Sequence, residues 1–518
     1  MAETTFAHEW FTGPKLKHPL ADPATAKVLL ARHRGGDSVA VLTTITGWVR
    51  DLMALPDVAL AERFAVLDQL DAHAKNHQIN LVPEFLETAR LRKLTESVLW
   101  TTCSDFWTTL GDAYQACLDA YQAAPRPHPG LDYLLPLLVG RIIRSLTRQY
   151  KWAVLRHQRV ERKFWQDLGR TYLFAESREF ATRRVAVYAS RHGESSARTE
   201  LLKILMLAVS GPDALTPIQQ HIAERIIAHL GERFVLSVMP QTAGIFDFDL
   251  ASGLPPTRNS QDKPTPLLVR HFGPGAANEG LKELTGYLRR TGALPPFINF
   301  GQPVEWAQIS AVLNHLSRNW AASPVPRQGK RQDLATELTI VPCLIDSARW
   351  LTRLMDGGDI AAAAPAGAER WQACDVSAKG CGAIIPQHAG NWVAVGTLVG
   401  VHRASEAPYR MAIVRRISGD GHHQHRIGME FVGDAAAAVA LFPAAATAAA
   451  DPQRHGETAV LVSRRPDPRG IIELLGRPDG IIGATGLQMR FRDRVYRLEL
   501  DAVIEDTRGY RRTRYRLA

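Results

Sequence analysis

Cysteine is scarce in this chain. The five that occur in 518 residues, Cys103, Cys117, Cys343, Cys374 and Cys381, are odd in number and show no CxxC spacing, which argues against both a disulfide framework and a zinc site. Long apolar runs are missing as well. The longest near-uncharged stretch, Ala435 to Ala450, is mostly alanine, is interrupted by Pro443 and falls short of the roughly 18 apolar residues of a membrane span. The N-terminal stretch carries Glu3, His8, Glu9, Lys15 and Lys17 and no apolar core segment, so it is not a signal peptide. No nucleophile and base pair, carboxylate dyad, Walker loop or metal-ligand set is legible. These absences predict a soluble cytoplasmic protein that is not an enzyme, with no metal and no cofactor.

What the chain does have is ordinary globular composition and excess positive charge. Hydrophobic residues make up 46% and charged residues 22%, and the length divides most naturally into about three domains. A formal charge of +10 and a pI near 9.5 favour anionic partners: nucleotides, nucleic acid or acidic protein surfaces. Residues 1–36, broken by Pro14, Pro19 and Pro23, read as an extended lead-in, and 37–238 as a helical domain. Within that domain Leu60, Phe64, Leu67, Leu70 and Ala74 recur on one helical face, and Phe106, Leu110, Tyr114, Cys117 and Tyr121 on another. Residues 239–322 form a mixed joining region. Residues 323–434 carry short strand-like runs of an antiparallel barrel, and 435–518 a second small β unit.

Three features of the helical region invite a functional reading. The pattern Trp107-x-x-Leu110-Gly111-x-x-Tyr114 recurs at Trp165, Leu168, Gly169 and Tyr172, resembling the first helix of tetratricopeptide repeats, although the interval is too long for a regular array. The basic run from Arg141 to Lys163 reads as a solvated face sooner than as a docking surface for nucleic acid, a membrane or an acidic partner. Arg191-His192-Gly193 resembles the histidine phosphatase motif, but its helical flanks favour a helix-connecting turn. In the barrel, His422, His423 and His425 read as a hairpin tip and not as metal ligands. Near the C-terminus an alternation of arginines reads as a polar sheet face or, more sharply, a docking surface.

The segment from Arg327 to Val432 carries the most specific chemistry. Arg327-Gln328-Gly329-Lys330-Arg331 precedes the strand-like run Leu334 to Ile345, and Asp375-Val376-Ser377-Ala378-Lys379-Gly380 sits at a strand turn. Arginine pairs bidentately with phosphate or guanine and stacks on a base. An Asp accepts from the guanine N1 and N2 donors, a Ser hydroxyl bonds phosphate or base, and a Gly lets a ligand approach the backbone.

The pair RxxxR then DxSxxG at the head of a small barrel resembles the PilZ family of cyclic di-GMP receptors, over about a fifth of the chain. The resemblance implies a PilZ-like antiparallel β-barrel behind a mainly α-helical N-terminal region, a multidomain α+β fold. It also implies cyclic di-GMP held by Arg327, Arg331, Asp375, Ser377 and Gly380, with Lys330 and Arg416 as lesser candidates. The spacing between Arg331 and Asp375 is longer than the family's, and a second RxxxR, Arg349 and Arg353, lies at the more usual distance, in a stretch that reads as a short helix. The implied function is an effector that couples second-messenger binding to an output protein engaged by the helical region. The alternatives are a helical scaffold with a degenerate, non-binding barrel, and a nucleic-acid binder.

Overall fold

In the computed structural model, residues 18–32, 35–88, 93–123, 129–188, 194–259, 266–323, 331–355, 364–386, 392–403, 406–419, 424–444, 456–463 and 465–518 are described. The fold is mixed α+β, helical first and β-barrel second. It divides into two compact units. One spans Met1–Arg156, Val160–Pro212 and Pro217–Pro324; the other comprises Val325–Ala518 with His157–Arg159 and Asp213–Thr216.

The helical unit contains α1 (Pro23–Arg32), α2 (Ser38–Ala54), α3 (Leu60–Thr88), α4 (Lys93–Ala123), the single turn α5 (Pro129–Asp132), α6 (Leu135–Leu155), α7 (Arg162–Ser177), α8 (Ala197–Val209), α9 (Pro217–Leu230), α10 (Ala277–Thr291) and α11 (Trp306–Asn319). Two short strands, β1 (Val185–Ala186) and β2 (Glu194–Ser195), pair with each other. A small antiparallel sheet in the order β3 (Val235–Ser237), β6 (Val269–Gly273), β4 (Phe246–Asp249), β5 (Thr257–Arg258) belongs to the same compact unit as the helices. Helices α2, α3, α4 and α6 pack side by side. The periodic residues Phe64, Leu67, Leu70, Ala74, Phe106, Leu110, Tyr114 and Cys117 are all buried between them. None of the described helices is long and apolar enough to cross a membrane.

The Trp-x-x-Leu-Gly-x-x-Tyr echo places two glycines at close approaches of different kinds. A Cβ on Gly111 would meet Gln149 of α6 at 2.6 Å, so there a helix packs close, whereas a Cβ on Gly169 would fall on the Leu250 carbonyl at the end of β4. The shared spacing therefore serves two unlike neighbours and does not mark a repeat.

The basic run starting at Arg141 departs from the solvated-face expectation. Arg141 and Lys151 are buried, and the cations of α6 turn inward onto carboxylates. Arg141 spans two of them, with Nη1 2.7 Å from Asp71 Oδ2 and Nη2 2.5 Å from Asp68 Oδ1. Tyr188 donates to Asp71 Oδ1 at 2.8 Å and Tyr114 to Oδ2 at 3.2 Å, while the Arg141 guanidinium lies 4.0 Å from the Tyr188 ring centre. A charge taken out of water is tolerated only when its partners replace the solvent, and here hydroxyls, carboxylates and a π face do so together.

The second unit is built from two closed barrels. In the first, β7 (Gln332–Asp333), β8 (Glu337–Pro342), β9 (Glu369–Ser377), β10 (Gly380–Ile385), β11 (Leu398–Arg403), β12 (Glu406–Gly419) and β13 (His425–Val432) pair antiparallel. The ring closes as β8-β9-β10-β13-β12-β11, with β7 added outside on β9. The second ring runs β14 (Ala437–Pro443), β15 (Glu457–Leu461), β16 (Ile471–Gly476), β19 (Arg511–Leu517), β18 (Arg494–Asp506), β17 (Leu487–Phe491). Numbered within itself, each ring has the order 1-2-3-6-5-4, so the two share one topology.

Three strand expectations change. Leu334 to Ile345 is not one strand: the extended part is β8, and from Leu344 the chain turns into helix α12 (Leu344–Met355). The extended run expected from Trp392 begins only at Leu398. The Ala-rich run after Ala435 contains β14, where Val439 and Leu441 are buried in the second core and Ala440 between them is half-buried. Cross-strand pairing overrides the weak strand preference of alanine.

Helix α12 lengthens the interval between Arg331 and Asp375, and it has a packing role. Its Leu344, Trp350 and Leu351 join one core with Leu398, Met411 and Ile413 of the first ring and Val460, Leu475 and Tyr510 beside the second. Three arginines of the second ring, all on β19, are paired with acids: Arg511 meets Asp506 (2.9 Å), Arg512 Glu473 (2.6 Å) and Arg514 Asp501 (3.3 Å).

Replacing Arg141 with alanine strands Asp71 in the core, and urea denaturation of Arg141→Ala is expected to show a loss of about 3–5 kcal/mol. The exposed pair Arg50–Asp105 (2.6 Å) serves as the control, with Arg50→Ala costing no more than about 1 kcal/mol.

Candidate functional site on the first barrel

Simple alternation along β9 would bury the Asp375 side chain in the barrel with Trp371 and Ala373, which belong to the apolar core. It does not, because the register with β10 shifts by one: Gly382 faces Asp375, but Ala383 faces Ala373. Cys374 is the extra residue of a β-bulge, and the bulge turns Asp375 onto the outer face while Val376 returns to the core. A second bulge, at Arg415, sits between Val414↔Met429 and Arg416↔Gly428. The two shifts bring four residues into one row across four strands: Asp375, Gly382, Gly428 and Arg416.

The middle of that row has no side chains. A Cβ on Gly382 would stand 2.7 Å from Asp375 Oδ2, whereas one on Gly428 would meet only the Arg416 Cβ, at 3.4 Å. Around this bare strip the charges converge on one acid. Asp375 is 4% exposed, and its Oδ2 accepts from Arg331 Nη1 at 3.2 Å and from Arg426 Nη2 at 2.8 Å. Oδ1 lies 3.1 Å from Arg331 Nη1 without hydrogen-bond geometry and is a buried acceptor with no hydrogen bond among the described residues. Both guanidiniums remain more than half exposed, at 57% and 53% of the side chain, so they present donor edges outward.

Arg331 is carried to the acid by pairing. Immediately after it, Gln332 and Asp333 form β7 against Val376 and Asp375 of β9, and the Leu334 amide donates to the Cys374 carbonyl at 3.1 Å. Arg327 and Lys330 lie outside the described residues, as do His422, His423 and Arg191 to Gly193.

Ser377 and Gly380 form the β9–β10 turn, with the Ser377 hydroxyl donating to the Gly380 carbonyl at 3.1 Å. A Cβ on Gly380 would fall on the Met429 carbonyl, so close approach of β13 accounts for this glycine. Arg416 is exposed at the far end of the row, with Nε 3.1 Å from Asp213 Oδ2; Arg415 is engaged by Glu430 (2.7 Å) and Glu505 (3.3 Å). Arg349 and Arg353 are on α12, both exposed, with Arg349 near Asp346 of its own helix (3.6 Å).

The structure thus brings together Arg331, Asp375, Ser377 and Gly380, and leaves Arg349 and Arg353 on a separate helix. Sequence reasoning missed Arg426, Gly382 and Gly428. Gly382 and Gly428 alternate with Cys381, Ala383, Ile427 and Met429, all core residues, so a glycine pair at outward positions was the available signal. Arg426 lacked one, since nothing short of the strand pairing places it beside Asp375.

Among the described residues the second ring has no equivalent set. The turn after its second strand contains Asp467, whose Oδ1 accepts from the Arg469 and Ile471 amides at 2.8 Å each, so this acid shapes the turn. Leading into β14, the sequence Val432-Gly433-Asp434-Ala435-Ala436 holds no arginine.

Gly382→Ala pushes a methyl against the Asp375 carboxylate and is expected to lower unfolding free energy by about 1–3 kcal/mol in urea titration. Gly428→Ala, whose methyl meets only the Arg416 Cβ at 3.4 Å, an ordinary contact distance, is expected to stay within about 0.5 kcal/mol of the parent.

Comparison with known proteins adds an observation from elsewhere in the chain. No curated protein matches it. Residues 24–241, less than half of the chain and entirely before the barrels, match the family model described as the N-terminal domain of the cyclic-di-GMP receptor FimW.

Proposed function

We propose that this protein is a cyclic di-GMP receptor whose ligand site is the outer face of the first barrel. The observation that carries the reading is the meeting of Arg331 and Asp375 beside the paired glycines Gly382 and Gly428. The match of the helical region to a domain of a cyclic-di-GMP receptor supports it from another part of the chain, since the match ends before the strands of the first barrel begin.

The chemistry of each group suits the ligand. A guanine offers N1–H and N2–H donors side by side, and a carboxylate takes both when its oxygens are available. Asp375 Oδ1 has no hydrogen bond among the described residues, and Oδ2, which also accepts from Arg426, loses one of its two donors when Arg331 leaves it. The departing guanidinium then stacks on the base or takes phosphate, with Arg327 from the same arm as the second cation. Gly428 lets the planar ring approach the sheet beside the Asp375 carboxylate, which lies over Gly382, and Ser377 and Gly380 hold the turn that presents Asp375. Arg426 remains on the carboxylate and keeps it oriented; Arg416, opposite Gly428, borders the strip and can turn from Asp213 to an incoming phosphate.

The action is that of a PilZ-like effector in the cytoplasm, a receptor and not an enzyme. Ligand affinity that differs between two arrangements of arm and barrel drives a change, and the helical region passes it to an output protein.

Calorimetry of the full-length protein with cyclic di-GMP tests the proposal. Binding is expected, weakened at least about tenfold in Arg331→Ala and in Asp375→Ala, the loss of one charge-assisted hydrogen bond, and unchanged in Arg349→Ala. No heat, or equal affinity in all three variants, would reject it in favour of a helical scaffold carrying a non-binding barrel.

A further inference from the structure

A second concentration of charge lies within the helical unit, far in kind from the barrel site. Helices α6, α8 and α9 enclose a cavity of about 60 Å³. Its polar wall is made by Arg144, Arg148, Glu200, Lys203, Glu224 and Arg225. Four cations thus face two carboxylates, and Lys151 adds a fifth cation behind them, with Nζ 3.0 Å from Glu224 Oε2.

The internal pairing is incomplete. Arg148 meets Glu224 at 2.9 Å and Lys203 meets Glu200, which together use both acids. Arg144 Nη1 is left 3.9 Å from Glu200 Oε2, beyond hydrogen-bond reach, while its guanidinium lies 4.8 Å from the Tyr188 ring centre and Ser195 lies by the Glu200 carboxyl; Arg144 Nε and Glu200 Oε2 are both buried with no hydrogen bond of good geometry among the described residues. Arg225 has no carboxylate partner among the described residues and gives its Nε to the Asn299 carbonyl at 2.8 Å. Burial pushes the Lys151 ammonium down to about 8, against the pull of Glu224. Although burial opposes it, Lys151 and Arg148 hold the Glu224 carboxyl well below the ordinary range. Excess buried positive charge of this kind is costly unless an anion balances it.

Size and donor pattern narrow the anion. By the same measure of volume a single water needs about 10–15 Å³, so the cavity takes a polyatomic ion but has no room for a nucleotide. One wall atom, Glu200 Oε2, is an acceptor, which repels a fully deprotonated oxyanion and welcomes one carrying an O–H. Inorganic hydrogen phosphate offers acceptor oxygens to the cations and one O–H to the glutamate; sulfate at neutral pH has none to give.

We propose that this cavity is a hydrogen-phosphate-binding site, formed by Arg144, Arg148, Lys203 and Arg225 and made selective by Glu200. Phosphate at this position joins α6, α8 and α9 through one ion and stabilises the helical unit by linkage.

The test uses the full-length protein and inorganic phosphate at constant ionic strength, with chloride as the balancing ion. The linewidth of the phosphate 31P resonance reports binding, and sulfate is the competitor. Expected are saturable broadening, poor competition by sulfate, and affinity reduced at least about tenfold in Arg144→Gln and in the more accessible Arg225→Gln, with Arg144→Lys recovering part of the loss. Glu200→Gln is expected to remove the preference over sulfate. Circular dichroism identifies any variant that fails to fold, and Arg225→Gln, which removes no buried pair, keeps the test decisive if Arg144→Gln does. No broadening, equal competition by sulfate, or unchanged affinity in folded Arg225→Gln would overturn the proposal. Since the barrel is untouched, cyclic di-GMP affinity is expected to be the same in these variants, and phosphate binding the same in Asp375→Ala.

Discussion

The barrel site depends on a break in strand alternation. A β-strand sends successive side chains to opposite faces, and with Trp371 and Ala373 in the core, regular pairing would drive the Asp375 carboxylate into an apolar interior. One extra residue, Cys374, moves it outside instead, beneath two arginines. The bulge at Arg415 does the same for Arg416, and the two glycines between them are what the strands carry where the sheet must stay bare. Removing the register shift would turn the Asp375 carboxylate away from Gly382 and from both arginines.

Much of the architecture was readable from the residues. The helical period at Phe64, Leu67, Leu70 and Ala74, and again at Phe106, Leu110 and Tyr114, marks faces that are buried. The positions Arg331, Asp375, Ser377 and Gly380 do fall together at one end of a closed antiparallel ring. What was not readable is what pairing decides. A bulge leaves no local signature, so the outward turn of Asp375 and the arrival of Arg426 beside it wait on the register of three strands. The basic α6 misleads for a related reason: a run of arginines and lysines suggests a wet face until Asp68, Asp71, Glu200 and Glu224 from other helices are found opposite.

The two rings show how one topology accommodates a site in one case and not in the other. Both follow the order 1-2-3-6-5-4 and bury apolar side chains from all six strands of the ring. The first has an arginine leading into it and an outward acid; the second spends its turn acid on backbone amides and has alanines where the arm would be. Between them α12 supplies Trp350 and Leu351 to a shared apolar layer, so the segment that stretches the motif spacing is also the seal between rings.

The short strand β7 has a geometric consequence for anything captured at the acid. Because Gln332 is zipped to Val376, the backbone tether to Arg327 is anchored at one end beside Asp375. Five residues of fully extended chain cover at most about 17 Å. Whatever the upstream guanidinium grips must therefore lie within that leash plus one side-chain length of the barrel wall, which sets an upper bound on ligand size by covalent arithmetic alone.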